Sequence, residues 1–163
     1  MRAIVHAFAL IGMSAALSGC GDSNAPTAKE ERGVIVSASD CASFGPGAVD
    51  ACAGAIERAV KTHETTAAKY TSLADCEKVA GDRACERSQS GHYRIRLSAF
   101  MVTLGAKPRA EALYPVKGTD VGFQTSRKDV VLASDRSLVF SRLAVSEAER
   151  HAASDPKRKR QRL

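Results

Sequence analysis

Cys41, Cys52, Cys76 and Cys85 are separated by ten, twenty-three and eight intervening residues. Structural zinc takes cysteines in close pairs such as C-x2-C, a spacing that thiol redox sites share, and this chain has no such pair. Four cysteines in an exported chain instead fit a framework of two disulfides. The four histidines are His6, His63, His92 and His151, and none falls in H-x-x-x-H or H-E-x-x-H spacing. His63 shares an apolar helical face with Ile56, Val60 and Ala67, where a lone histidine reads as a packed, hydrogen-bonded side chain. His92 begins a strand, and His151 lies near a helix end, where a cation suits the dipole. There is no G-x-S-x-G, Walker A or G-x-G-x-x-G motif. Carboxylates are scattered, and no serine is paired with a base by spacing. The expectation is therefore a chain with no catalytic residue, no metal and no cofactor.

The fifth cysteine, Cys20, has a different setting. Met1-Arg2 is a short basic start, and Ala7 to Leu17 is apolar apart from Gly12 and Ser14. That run of eleven residues is too short for a bilayer core of about 30 Å, which takes about 20. It has the form of a secretory signal. Leu17-Ser18-Gly19-Cys20 resembles the bacterial lipobox, which implies cleavage between Gly19 and Cys20. The Cys20 thiol then takes a diacylglycerol and its amine a further acyl chain. One acyl chain holds a protein only marginally, so three would anchor it firmly. Inner-membrane retention in enteric bacteria resembles Asp directly after the cysteine, and here Gly21 stands there. The expected location is the cell envelope, on the outer membrane and facing the periplasm.

The chain's 24 Lys and Arg outnumber its 18 Asp and Glu. Arg2 leaves with the signal, and Lys157, Arg158, Lys159, Arg160 and Arg162 crowd the C-terminus. What remains is 18 basic against 18 acidic residues, a neutral body with a basic tail. Such a tail suits anionic lipid headgroups or cell-wall polymer, at about 1 kcal/mol per charge near a membrane. It also suits a solvated end that binds nothing. Export argues against nucleic acid.

These residues need elements to hold them. With 163 residues and 5% aromatics, one modest domain has a core rich in Ala and Val. Residues 1–19 form the signal, 20–33 a polar tether, 34–90 a Cys-rich helical region, 91–153 a small β-rich region and 154–163 the basic tail. Val34-Ile35-Val36 reads as a short edge strand. Val49, Cys52, Ile56, Val60, His63, Ala67 and Tyr70 recur at spacings of three and four, predicting a helix over 48–70. Ser72 with Asp75 caps a second helix ending at Gly81.

Tyr93, Ile95 and Leu97 alternate with polar residues, as in a half-buried strand. Residues 121–125 and 130–133 flank a polar turn and predict a hairpin, with 138–140 as a third strand. Ser146 and Glu149 make a capping box for a last short helix. Residues 106–116 carry no clear pattern. The fold class is α+β: a disulfide-clamped helical hairpin, then a short antiparallel sheet and a C-terminal helix.

Helix geometry bears on the pairing. At 1.5 Å per residue Cys52 lies roughly 25 Å before the helix end, whereas Cys76 follows that end by about six residues. A bond needs Cα atoms within about 7 Å, so Cys52–Cys76 is disfavoured. Cys41–Cys76 would require the N-terminal segment to fold back along the helix. Cys41–Cys52 and Cys76–Cys85 are favoured, each closing a short loop and contributing up to about 3 kcal/mol.

Asp40-Cys41, Cys52-Ala53, Ala67-Ala68-Lys69-Tyr70, Asp75-Cys76-Glu77, Gly81 and Cys85 stand in the order and spacing of the YgiB-like bacterial lipoproteins, which this stretch resembles. That family usually carries a lipobox and has no established activity. Its members are often encoded beside an ATP-grasp enzyme similar to glutathionylspermidine synthases. The leading expectation is a non-enzymatic, lipid-anchored module that binds or scaffolds an envelope protein. The alternatives are a polyanion-binding factor acting through its tail and an accessory subunit of a polyamine- or thiol-modifying enzyme.

Overall fold

The computed structural model describes residues 30–118 and 120–154. Glu31–Ile35 forms β1, followed by the 3-10 segments Ala38–Phe44 and Pro46–Ala48. Two helices follow, α1 (Val49–Thr66) and α2 (Leu73–Ala80). Then come β2 (Cys85–Arg87), β3 (Tyr93–Ile95), β4 (Ala99–Leu104), β5 (Arg109–Pro115) and β6 (Gly122–Gln124). The chain continues through β7 (Val130–Leu132) and β8 (Val139–Phe140) into α3 (Arg142–Ser154). The fold is α+β, with a C-terminal helix as expected.

Six strands form one sheet in the order β7-β6-β5-β4-β1-β8, while β2 and β3 pair separately. Only β1 and β8 run parallel; the other ladders are antiparallel. The sheet has helices on both faces. On one, Ile35, Phe100, Val102 and Leu104 pack with Cys52, Ile56 and Ala59 of α1. On the other, Val34, Ala99, Leu113 and Phe123 pack with Ala144 and Ala148 of α3. Neighbouring residues of a strand point to opposite faces, so Val34 and Ile35 are both fully buried. The sheet also curls: Phe123 of β6 and Phe140 of β8 stack with ring centroids 6.4 Å apart, although three strands separate β6 from β8 in the sheet order.

Both disulfides are present, joining Cys41 to Cys52 and Cys76 to Cys85 with Cα atoms 5.8 and 6.2 Å apart. The first ties a 3-10 segment to the start of α1. The second ties α2 to β2. The cap of α2 is as expected, with the Asp75 amide donating to Ser72 Oγ at 3.1 Å.

Several elements differ from expectation for physical reasons. β1 is no edge strand; it begins at Glu31, inside the expected tether, and lies between β4 and β8. β8 can approach because residue 33 is glycine. A Cβ there would lie 2.7 Å from the Val139 carbonyl oxygen and 2.8 Å from the Phe44 ring. α1 stops at Thr66 rather than Tyr70. Near its end the Thr65 and Thr66 hydroxyls donate back to the Thr62 carbonyl, and Ala67 is extended. Tyr70 instead bridges Tyr93 through paired backbone bonds of 2.7 and 2.9 Å. The strand at Tyr93 joins β2 and not the main sheet. The hairpin of β6 and β7 forms as expected, but the following strand pairs with β1. α3 begins four residues before the expected box, because Ser141 Oγ accepts from the Ala144 amide at 3.1 Å. Ser141 in turn donates to Asp40, so this cap is held by the 3-10 segment. Residues 106–116, without a clear pattern in sequence, contain β5, a strand inside the sheet.

Candidate functional site

α1 crosses β5 with small side chains on both walls. Ala55 and Ala59 line the helix side, and Ala110 and Ala112 line the strand side. Short walls leave a cleft of about 350 Å³. A second cavity of about 290 Å³ adjoins it, and the two share His63, Thr66, Tyr114 and Ser126. Each lies near the lower end of the size range of small-molecule sites.

The polar groups around the cleft are mostly held in place. Arg58 Nη2 donates to the Pro108 carbonyl at 3.0 Å, pinning a guanidinium from α1 to the start of β5. Arg109 pairs with Glu30 at 3.2 Å, and Glu111 lies 3.9 Å from Arg127. Lys128, at the β6–β7 turn with φ 72°, borders the second cavity. Behind the cleft, Arg94 bonds Glu64 at 2.7 Å and Glu86 at 2.8 Å, joining α1 to the small sheet. That bond holds the Glu64 carboxyl below its usual range.

His63 is the central group. It is 3% exposed, and its Nδ1 lies 3.0 Å from the Tyr114 hydroxyl. This agrees with the expectation of a packed, hydrogen-bonded histidine. Its Nε2, however, is buried with no hydrogen-bond partner among the described residues. A buried unsatisfied polar atom costs about 1–3 kcal/mol. Burial lowers the His63 pKa first, the Arg94 charge lowers it further, and Glu86 and Glu64 oppose them. The ring is therefore neutral at pH 7. Burial likewise raises the Tyr114 pKa, so the phenol stays protonated.

The fold also brings together a serine, a histidine and a carboxylate that the sequence keeps apart. Ser98 Oγ lies 3.3 Å from His151 Nε2, and Glu147 Oε1 lies 2.9 Å from the same nitrogen. A nucleophile relay needs serine on one ring nitrogen and the carboxylate on the other. Here both compete for one atom, and Ser98 is buried. The cluster acts as a lock between α3 and the residues leading into β4.

The lowered histidine pKa values predict a pH dependence. Burial also lowers that of His151, against the opposing pull of Glu147. Unfolded histidine titrates near 6.5, so on acidification the unfolded chain takes up protons before the folded one. Stability is then full above about pH 6.5 and falls below it. The urea midpoint should be lower at pH 5.5 than at pH 7.5, and His63→Phe should flatten part of that slope. A His63→Phe slope equal to that of the parent chain would contradict the assignment.

Of the residues singled out in sequence, the four body cysteines are bonded in the favoured pairs. Gly19 and Cys20, and the tail cations Lys157, Arg158, Lys159, Arg160 and Arg162, lie outside the described residues. His92 is exposed, its Nδ1 3.5 Å from the Ser90 hydroxyl. Arg58, Arg109 and Tyr114 were not legible as site residues. The one available signal was the alternation Ala110, Ala112, Tyr114, which places these three on one strand face. Among the described residues no group of three or more His, Cys, Asp or Glu could hold a metal ion. No described helix is long and apolar enough to cross a membrane.

Residues 29–106 match the model of a family described as a protein of unknown function (DUF1190). The matched segment runs from the start of β1 through β4 and contains both disulfides and α1, while β5, the other wall of the cleft, lies beyond it. No curated protein and no solved structure matches the chain.

Proposed function

We propose that this chain is a YgiB-like lipoprotein of the bacterial envelope, held by lipid at Cys20 to the outer membrane on its periplasmic side. Its disulfide-clamped body is a non-enzymatic module that binds or scaffolds another envelope protein. The match over residues 29–106 and the cysteine spacing support the family reading. Two closed disulfides suit an oxidising compartment, which favours export.

The observation that carries the binding reading is the α1–β5 cleft, with alanine walls, fixed cations at its rim and an unused hydrogen-bonding atom in its wall. Chemical cross-linking in the native cells, followed by mass spectrometry, tests it by comparing the full chain with one ending at Asp155. The expected result is one defined protein captured by both. Diffuse capture, or capture lost with the tail, would instead mark an electrostatic binder of anionic polymer or headgroups. The anchor is tested separately: Cys20→Ser should abolish incorporation of a labelled fatty acid.

A further inference from the structure

Building on the reading of the body as a binding module, we infer that the α1–β5 cleft takes the free carboxylate end of a short peptide with small side chains. Charge is the first reason. Arg58 and Arg109 border the cleft and Lys128 its neighbour; Arg109 is already paired with Glu30 and Glu111 also lines the cleft, so Arg58 is the cation placed to meet an anion. Arg58 is held at the rim by one N–H to Pro108, and a guanidinium has five, so it keeps donors for a carboxylate in a fixed position.

The walls are the second reason. Ala55, Ala59, Ala110 and Ala112 line the cleft with methyl groups, an apolar surface that suits methyl-sized side chains. Unused hydrogen-bonding capacity is the third. The His63 ring forms part of the wall of both cavities, is 97% removed from solvent and has Nε2 unpaired among the described residues. Ser126, shared by both cavities, is exposed and presents its hydroxyl at their common border. An extended peptide supplies amide groups at regular spacing along such a wall, beginning from a carboxylate on Arg58.

The test titrates the full chain, in detergent, with N-acetyl-Ala-Ala and with the same dipeptide as its C-terminal amide. Calorimetry and the His63 ring signals in NMR are the readouts. The expected result is saturable binding of the acid, accompanied by a shift of the His63 signals, with the amide at least tenfold weaker. Arg58→Gln should weaken the acid at least tenfold and leave the amide unchanged. Arg109→Gln, also on an exposed side chain, should weaken the acid in the same direction if Arg58→Gln fails to fold. Equal binding of acid and amide, indifference to both substitutions, or no saturable binding of the acid up to about 10 mM would overturn the inference. The two readings fail separately. Capture of a defined partner by both parent and Arg58→Gln, without peptide binding, leaves the module and removes its peptide site.

Discussion

Replacing Phe123 by alanine is expected to lower stability by about 3–5 kcal/mol, the usual cost of emptying a buried aromatic site. Phe123 is fully buried and the largest side chain so placed. It stacks on Phe140 and packs in the cluster that joins β1, β4, β5, β7 and α3. Its cluster draws on five other elements, four strands of the curled sheet and α3, so the site cannot collapse by moving one of them. For a domain of this size the thermal midpoint should fall by about 10–20 °C. Val139→Ala is the matched control. That side chain is 53% exposed, and its loss should stay within about 0.5 kcal/mol. A Phe123→Ala midpoint within about 3 °C of the parent chain would show that the curled sheet is not the main core.

Removing the Cys41–Cys52 bond should cost about 3 kcal/mol, through the freedom restored to the unfolded chain. The paired substitution Cys41→Ala, Cys52→Ala is the cleaner experiment, because it leaves no buried free thiol. Both sulfurs are fully buried against Ile56, Phe100 and Val102, so the loss of packing adds to the entropic term. The bond anchors the first turns of α1, the helix that carries Arg58 and His63. The peptide titration should therefore weaken along with stability. Digestion without reductant should yield linked Cys41/Cys52 and Cys76/Cys85 peptides from the parent chain. Free thiols at those positions, or an unchanged midpoint in the double variant, would refute the framework.

The elements legible in sequence were those whose pattern is local. α1 declares itself because one face meets the core and the other meets water, so apolar residues recur at three and four. α2 shows its cap, and the β6–β7 hairpin its polar turn. β4 is harder to read, since Ala-Phe-Met-Val-Thr-Leu is covered on both faces and does not alternate. β5 hides because its cleft-facing alanines are too small to register as a core stripe.

The disulfide pairs were within reach of the sequence because a rigid helix limits which cysteines can meet. The residues Leu17-Ser18-Gly19-Cys20, on which we propose lipid attachment, and the charge of the tail are also matters of local order, readable without a fold. The cleft is not. His63 and Tyr114 are 51 residues apart, and Arg58 and Pro108 are 50 apart. Ser98 meets His151 across 53 residues. No period in a chain encodes such meetings. They arise because β5 enters the sheet beside β4, turning one face to α1, while β8 returns beside β1 over a glycine that alone leaves room. Local spacing therefore set α1, the cap of α2 and the disulfide pairs, and packing between distant strands decided where the cleft lies.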